Sequence, residues 1–222
     1  AKDHYALNLS QGFPDFESDP VLIELVSQAM KNGYNQYAPM RGDIELRTAI
    51  AQEFKELYQS SYSPDKEIII TVGATQAIFT IISAFIHTND EVVIFTPAYD
   101  CYQPSVDLQG GKVIPIQLQY PKNTIDWSLV ENSITSKTKM IIINSPQNPS
   151  GSIFSLSDMK KLEKITNNTD IIILSDEVYE HMIFDGEKHQ SICLFPALKK
   201  RSFITASFGK TFNNTGWRVG YC

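Results

Sequence analysis

The sequence predicts an α/β protein, a layered domain built on a parallel sheet, and two observations carry that reading. Short β-branched runs recur at 68–72, 92–95, 113–116, 140–144, 171–175 and 203–207, and several are continuously apolar, as in KEIIIT, MIIIN and DIIILSD. Unbroken runs of this kind suit strands buried on both faces, as a parallel sheet covered by helices requires. Between them lie helical patterns at 75–87, 99–108 and 156–167, and such strand–helix alternation argues for layers.

The chain opens differently. LNLSQGFPDF reads as extended, with Gly12 and Pro14 forming turns. Asp19 and Pro20 then serve as N-cap and first helical residue of a helix, and a longer one is expected from Asp43 to about Tyr58. The last residues, Val219-Gly220-Tyr221-Cys222, resemble the start of another strand. No turn or polar tail closes it, so the chain reads as part of a longer protein.

Composition narrows the functional classes. At 222 residues, 42% hydrophobic and 20% charged, the chain is of ordinary globular type. Its net charge of −6 is spread along the sequence, and the one basic cluster, Lys199-Lys200-Arg201, reads as a solvated loop. That argues against a nucleic-acid footprint. Cys101, Cys193 and Cys222 lack metal-ligand or disulfide-framework spacing, which favours a reducing compartment. Apolar runs of about five residues are far too short to span a bilayer, and the N-terminus has no apolar leader segment. The expected location is the cytoplasm.

Ligands of open α/β sheets bind beyond the carboxyl ends of the strands, so the residues following each run matter most. After 68–72 come Gly73, Ala74 and Thr75, small residues opening a helix whose free N–H groups suit a phosphate. A tight turn into a helix explains them equally. After 92–95, Tyr99 offers a ring for stacking, or simply for packing. NSPQNPSG holds Asn144 and Asn148 on a proline-stiffened loop. Asp176 ends a very apolar run with Tyr179 three residues on; its carboxylate either meets a cation or caps a helix. After 203–207 comes Lys210, followed eight positions later by Arg218. An amine in a poorly solvated site becomes a usable nucleophile, and a guanidinium clamps an anion in bidentate fashion. Together these groups match the needs of pyridoxal 5′-phosphate, a planar phosphorylated cofactor with an aldehyde and a basic ring nitrogen.

The same segments resemble the class I/II aminotransferases of fold type I. NSPQNPSG is similar to the family's N-x-P-x-N-P-x-G loop, SDEVYE to its D-E-x-Y segment, and SFGKTFNNTGWRVG to its lysine signature; LSQGFPDF and NQYAPMRGDIELRTAI match its N-terminal stretches. The PAYDCYQPSV and KTFNNTGW runs are most like the methionine/aromatic and kynurenine (glutamine-type) members. Asn214 departs from the pattern, where relatives carry a small or apolar residue.

The resemblance implies a three-layer α/β/α large domain with a mostly parallel mixed sheet at 36–222, and a segment 1–35 that belongs with the small domain. The rest of that domain, with its carboxylate-binding arginine, is expected to be missing, so a chain ending at Cys222 should turn over little. By the same resemblance Lys210 anchors the cofactor covalently and shuttles the proton, while Asp176 keeps the ring nitrogen protonated. Asn148 and Tyr179 bind the ring oxygen, and Tyr99 stacks on the ring. Ala74, Thr75, Ser207 and Arg218 hold the phosphate. Tyr37 reaches the site of a partner subunit in a homodimer, and Gly12 with Asn148 lines the substrate carboxylate pocket. The implied activity is transamination from an apolar or aromatic amino acid to a 2-oxo acid. A carbon–sulfur β-lyase would use the same cofactor residues. A ligand-sensing transcription regulator can carry this domain too, but would need a basic helix-turn-helix module that this sequence does not contain.

Overall fold

The continuous apolar runs form strands buried on both faces, in a computed structural model that describes residues 2–8, 12 and 14–222. Leu9, Ser10, Gln11 and Phe13, within the stretch expected to be extended, lie outside the described residues. The strands are β1 (Ile70–Thr71), β2 (Glu91–Thr96), β3 (Lys112–Gln117), β4 (Thr138–Asn144), β5 (Ile172–Asp176), β6 (Ser202–Ser207) and β7 (Gly220–Tyr221). Among the described residues they make one seven-stranded sheet of order β1-β7-β6-β5-β4-β2-β3. Neighbours from β3 through β6 pair in parallel, and only β7 runs against its neighbours β6 and β1. The sheet is therefore mixed and mostly parallel.

The helices are α1 (Pro20–Lys31), α2 (Ile44–Tyr58), α3 (Gly73–Phe85), α4 (Tyr102–Leu108), α5 (Trp127–Ser133), α6 (Leu156–Thr166), α7 (Pro196–Lys199) and α8 (Phe208–Thr211). The alternation of side chains along a strand explains the layers. Val92, Ile94, Met140, Ile142 and Leu174 point to one face, where Ile78, Ile82 and Val106 of α3 and α4 cover them. Val93, Phe95, Ile141, Ile143 and Ile173 point to the other, under Val130, Met159, Leu162 and Leu198 of α5, α6 and α7. A third cluster packs Ile50 and Phe54 of α2 against Ile68, Ala206 and Tyr221 at the β1–β7–β6 side.

Local chemistry sets the helix ends. Asp19 accepts from the Val21 amide at 2.8 Å and Pro20 takes the first helical position. Asp43 caps α2 through the amides of Glu45 and Leu46. Ser155 and Asp158 form a reciprocal capping box on α6. Helix α1 buries none of its residues, and Val21, Ile23, Leu25, Val26 and Met30 are exposed. Nearby, Ser18 donates to the Asn213 carbonyl and Asn213 donates back to Phe16, strapping this N-terminal stretch to the loop after Lys210.

Three local expectations need correction. The helix expected from 99 starts only at Tyr102, because Pro97 and Ala98 leave β2 through a turn that still contains Tyr99. The strand expected at 68–72 is regular only over Ile70–Thr71, with Ile69 extending the pairing by two backbone hydrogen bonds to Cys222. The basic cluster is not simply a solvated loop. Lys199 ends α7 and donates to Ser60 Oγ and the Ser61 carbonyl, and Arg201 donates to the carbonyls of Thr169 and Ile171.

Candidate active site

The carboxyl ends of β4, β5 and β6, the start of α3 and the turn after β2 converge on one cleft of about 810 Å³. That size lies within the ordinary range of small-molecule sites. Ten residues given cofactor or substrate roles from the sequence line it: Gly12, Ala74, Thr75, Tyr99, Asn148, Asp176, Tyr179, Ser207, Lys210 and Arg218. Tyr37 does not. It stands fully exposed on the segment between α1 and α2, away from the cleft of its own chain. A larger hollow of about 1140 Å³ near Lys199 and Arg201 contains none of the ten.

Asn144, the last residue of β4, staples the loop that follows. Its Nδ2 donates to the Asp176 carbonyl at 2.9 Å and its Oδ1 accepts from the Asn148 amide at 2.7 Å. Gln147 donates to the Pro97 carbonyl, and Ser145 Oγ accepts from the Phe154 amide at 3.0 Å, so the loop is tied on both sides. Asn148 is thereby delivered to the cleft, which Tyr179 also lines.

Asp176, 3% exposed, ends β5. Burial pushes its carboxyl up to about 6, against hydrogen bonds from the Tyr102 hydroxyl at 2.5 Å and the Val178 amide at 3.3 Å. Neither a cation nor a helix accounts for it. Among the described residues it makes no salt bridge, and the residues after it form turns rather than a helix. Burial, followed by the Asp176 charge, likewise raises the Tyr179 phenol.

The next residue, Glu177, faces the other way. It accepts from Ser175 Oγ at 2.7 Å and the Ile192 amide at 3.0 Å, and pairs with His189 Nε2 at 2.8 Å. Burial works against both charges, yet the contact holds the carboxyl below and the imidazole above its ordinary value. This pair anchors the turn from which Asp176 and Tyr179 emerge, and it was not legible in the sequence.

Ser207 caps α8 by accepting from the Gly209 amide, and Lys210 follows on that short helix. Its Nζ lies 5.6 Å from the centroid of the Tyr179 ring. Arg218 takes a left-handed conformation, donates to the Thr215 carbonyl at 3.1 Å and lays its guanidinium against Gly73. Gly73 itself has φ +73°, and a Cβ there would stand 2.5 Å from Arg218 Nη2. Gly220 is as constrained, since a Cβ would meet the Ala74 nitrogen at 2.7 Å. The two glycines let β7 and the guanidinium close on the first amides of α3. The result is a seat for an anion made of a helix N-terminus, a guanidinium and the Ser207 hydroxyl.

A doubly covered, mostly parallel sheet with an amine, a buried carboxylate and an anion seat at its strand ends defines a cofactor-binding domain of the α/β class. The description "Aminotransferase class I and II" matches residues 5–222, and the chain belongs to that family. Class I and II aminotransferases use pyridoxal phosphate, and the cleft fits it: the glycine-lined cradle takes a phosphate and the buried carboxylate suits a protonated ring nitrogen. The chain is 41% identical over its whole length to methionine aminotransferase of Escherichia coli (strain K12), covering 58% of that protein. It is 37% identical to kynurenine–oxoglutarate transaminase 3 of Homo sapiens, covering 51% of it. Among solved structures it matches the Escherichia coli protein identified as having a methionine aminotransferase function with a TM-score of 0.97, at 41% identity over 100% of this chain and 58% of that one. The aromatic aminotransferase of Pyrococcus horikoshii OT3 gives 0.94, at 36% identity over 100% and 59%. The chain thus spans a little over half the length of the relatives it matches.

Proposed function

We propose that the protein is a pyridoxal-phosphate-dependent aminotransferase that moves an amino group from an apolar or aromatic amino acid to a 2-oxo acid. The observation that carries this is the placement of Lys210, Asp176 and the Gly73–Arg218 seat around one cleft. Bound there, the cofactor supplies an aldehyde conjugated to an electron-withdrawing ring. Lys210 is the amine that holds the aldehyde and carries the proton at the substrate Cα. Asp176 accepts from the ring nitrogen, Tyr99 packs on the ring, and Asn148 and Tyr179 donate to its oxygen. The amides of Ala74 and Thr75, with Ser207 and Arg218, hold the phosphate. Gly12 and Asn148 face the substrate carboxylate.

The substrate class rests on the methionine, kynurenine and aromatic aminotransferases among the relatives. The unburied apolar residues of α1 support assigning 1–35 to a small domain and 36–222 to the large one. Full exposure of Tyr37 and Met40 supports a homodimer in which Tyr37 serves the partner subunit's site. The free cysteines support a cytoplasmic setting, and no described helix is long and apolar enough to cross a membrane.

Full-length protein given methionine and a 2-oxo acid should yield a new amino acid, and given cystathionine should release no pyruvate. Pyruvate without a new amino acid would replace this reading by a β-lyase. Gly73→Ala tests the anion seat, because the added methyl meets the guanidinium on a backbone that disfavours it, a strain of roughly 1–3 kcal/mol. Cofactor affinity, followed by absorbance titration, should fall by about tenfold or more, the equivalent of one charge-assisted hydrogen bond. Unchanged affinity would remove Arg218 from the phosphate site.

A further inference from the structure

Tyr102 has no role in the reading above, yet it touches two of the groups assigned to the cofactor. It is buried on the first turn of α4. Its hydroxyl donates to Asp176 Oδ2 at 2.5 Å, and its ring meets Tyr99 edge-on, with centroids 5.8 Å apart and planes at 75°. One side chain therefore braces both the carboxylate at the strand end and the aromatic wall beside it.

We infer that Tyr102 is the positioning residue that aims the Asp176 carboxylate, and through its ring the Tyr99 face, at the protonated nitrogen of a bound heteroaromatic ring. The inference rests on the cofactor reading proposed above. Its logic is geometric. Asp176 Oδ1 accepts from the Val178 amide and Oδ2 from Tyr102, so each oxygen has one fixed donor and the carboxylate cannot swing. The surrounding titratable groups offer no substitute. Burial keeps the Cys101 thiol and the Tyr179 phenol protonated, and Glu177 is turned toward His189. Lys210 lines the same cleft, but no ion pair joins it to Asp176 among the described residues. Burial also holds the Tyr102 phenol well above its ordinary range, so it remains a donor at every working pH.

The test is a double-variant cycle on the full-length protein with Tyr102→Phe, Asp176→Asn and their combination, read by pyridoxal phosphate affinity. Carboxyl NMR of Asp176 in the cofactor-free protein gives a second reading. Tyr102→Phe keeps the ring and removes the hydroxyl. It should weaken cofactor binding by roughly tenfold, as expected for one hydrogen bond to a charged group, and move the Asp176 titration to higher pH. In the Asp176→Asn background the same substitution should change affinity by less than about twofold, since coupling needs the charge. A Tyr102→Phe chain that folds only in that background also supports the coupling. Equal losses in both backgrounds, or no change in affinity or titration, would overturn the inference. Wild-type protein without cofactor affinity would overturn the parent reading and the ring-nitrogen half with it. The Asp176 titration would then decide the carboxylate half alone.

Discussion

Replacing Lys210 with alanine should replace the visible absorption of the lysine-linked cofactor by that of the free aldehyde and lower amino-group transfer by about a thousandfold or more. The size follows from the two tasks assigned to one amine, covalent attachment and proton transfer, the second of which alone contributes roughly 10²–10⁴-fold. No neighbouring amine replaces it, because the polar side chains that share the cleft with it are hydroxyls, amides, the carboxylates of Asp100 and Asp176 and a guanidinium. The substitution should leave the fold intact. Lys210 is half-buried on a short helix capped by Ser207, and its described contact is the face of the Tyr179 ring. Thermal stability of the cofactor-free chain should therefore stay within about 0.5 kcal/mol of wild type. Retained absorption together with retained turnover would remove Lys210 from the chemistry.

Asp176→Asn should separate function from stability. Without a negative charge at this position the ring nitrogen loses the acceptor that keeps it protonated, and turnover should fall by roughly 10²–10⁴-fold. Stability should move the other way. Burial raises the folded-state carboxyl from its ordinary 3.8 to about 6, so between these values the native chain binds more protons than the unfolded one. Stability then falls as pH rises through that window, and the cost is complete above about pH 6. It amounts to something on the order of 3 kcal/mol, a cost that asparagine does not incur. The amide oxygen still accepts from the Tyr102 hydroxyl, and the substitution gives up only the longer 3.3 Å bond from the Val178 amide. Cofactor-free Asp176→Asn should match wild type near pH 4 and exceed it at pH 7, as measured by urea unfolding. A variant less stable than wild type at pH 7 would contradict the assignment of a buried, strained charge.

Most of the frame was legible because its signals are local. Ile141 to Ile143 alternate between two buried faces, and no exposed strand needs such a run. Asp19, Asp43 and Ser155 cap helices by contacts reaching two or three residues ahead. The cleft residues were legible for a different reason: apart from Gly12, taken from the family resemblance, and Arg218, just before β7, each ends or closely follows a strand, so sequence order already places it at the carboxyl edge. What escaped depends on contacts across the fold. Tyr102 meets Asp176 over 74 residues, and in the sequence it is one more aromatic on a short helix. Glu177 and His189 are joined by the path of an intervening loop, which no periodicity describes. Helix α5 is short, and its one signal, Asp126 capping through the amides of Ser128 and Leu129, lies inside a polar connection. The role expected of Tyr37 lies in another subunit, so a single chain shows only that its side chain is free to reach one.

The chemistry proposed for the cleft turns on Lys210 as the covalent anchor of pyridoxal phosphate. Full-length protein loaded with the cofactor, reduced with borohydride, digested and mapped by mass spectrometry tests it directly. A cofactor-sized mass increase is expected on the peptide carrying Lys210 and on no other. The modification on a different lysine, or a cofactor that dialyses away unreduced, would contradict it.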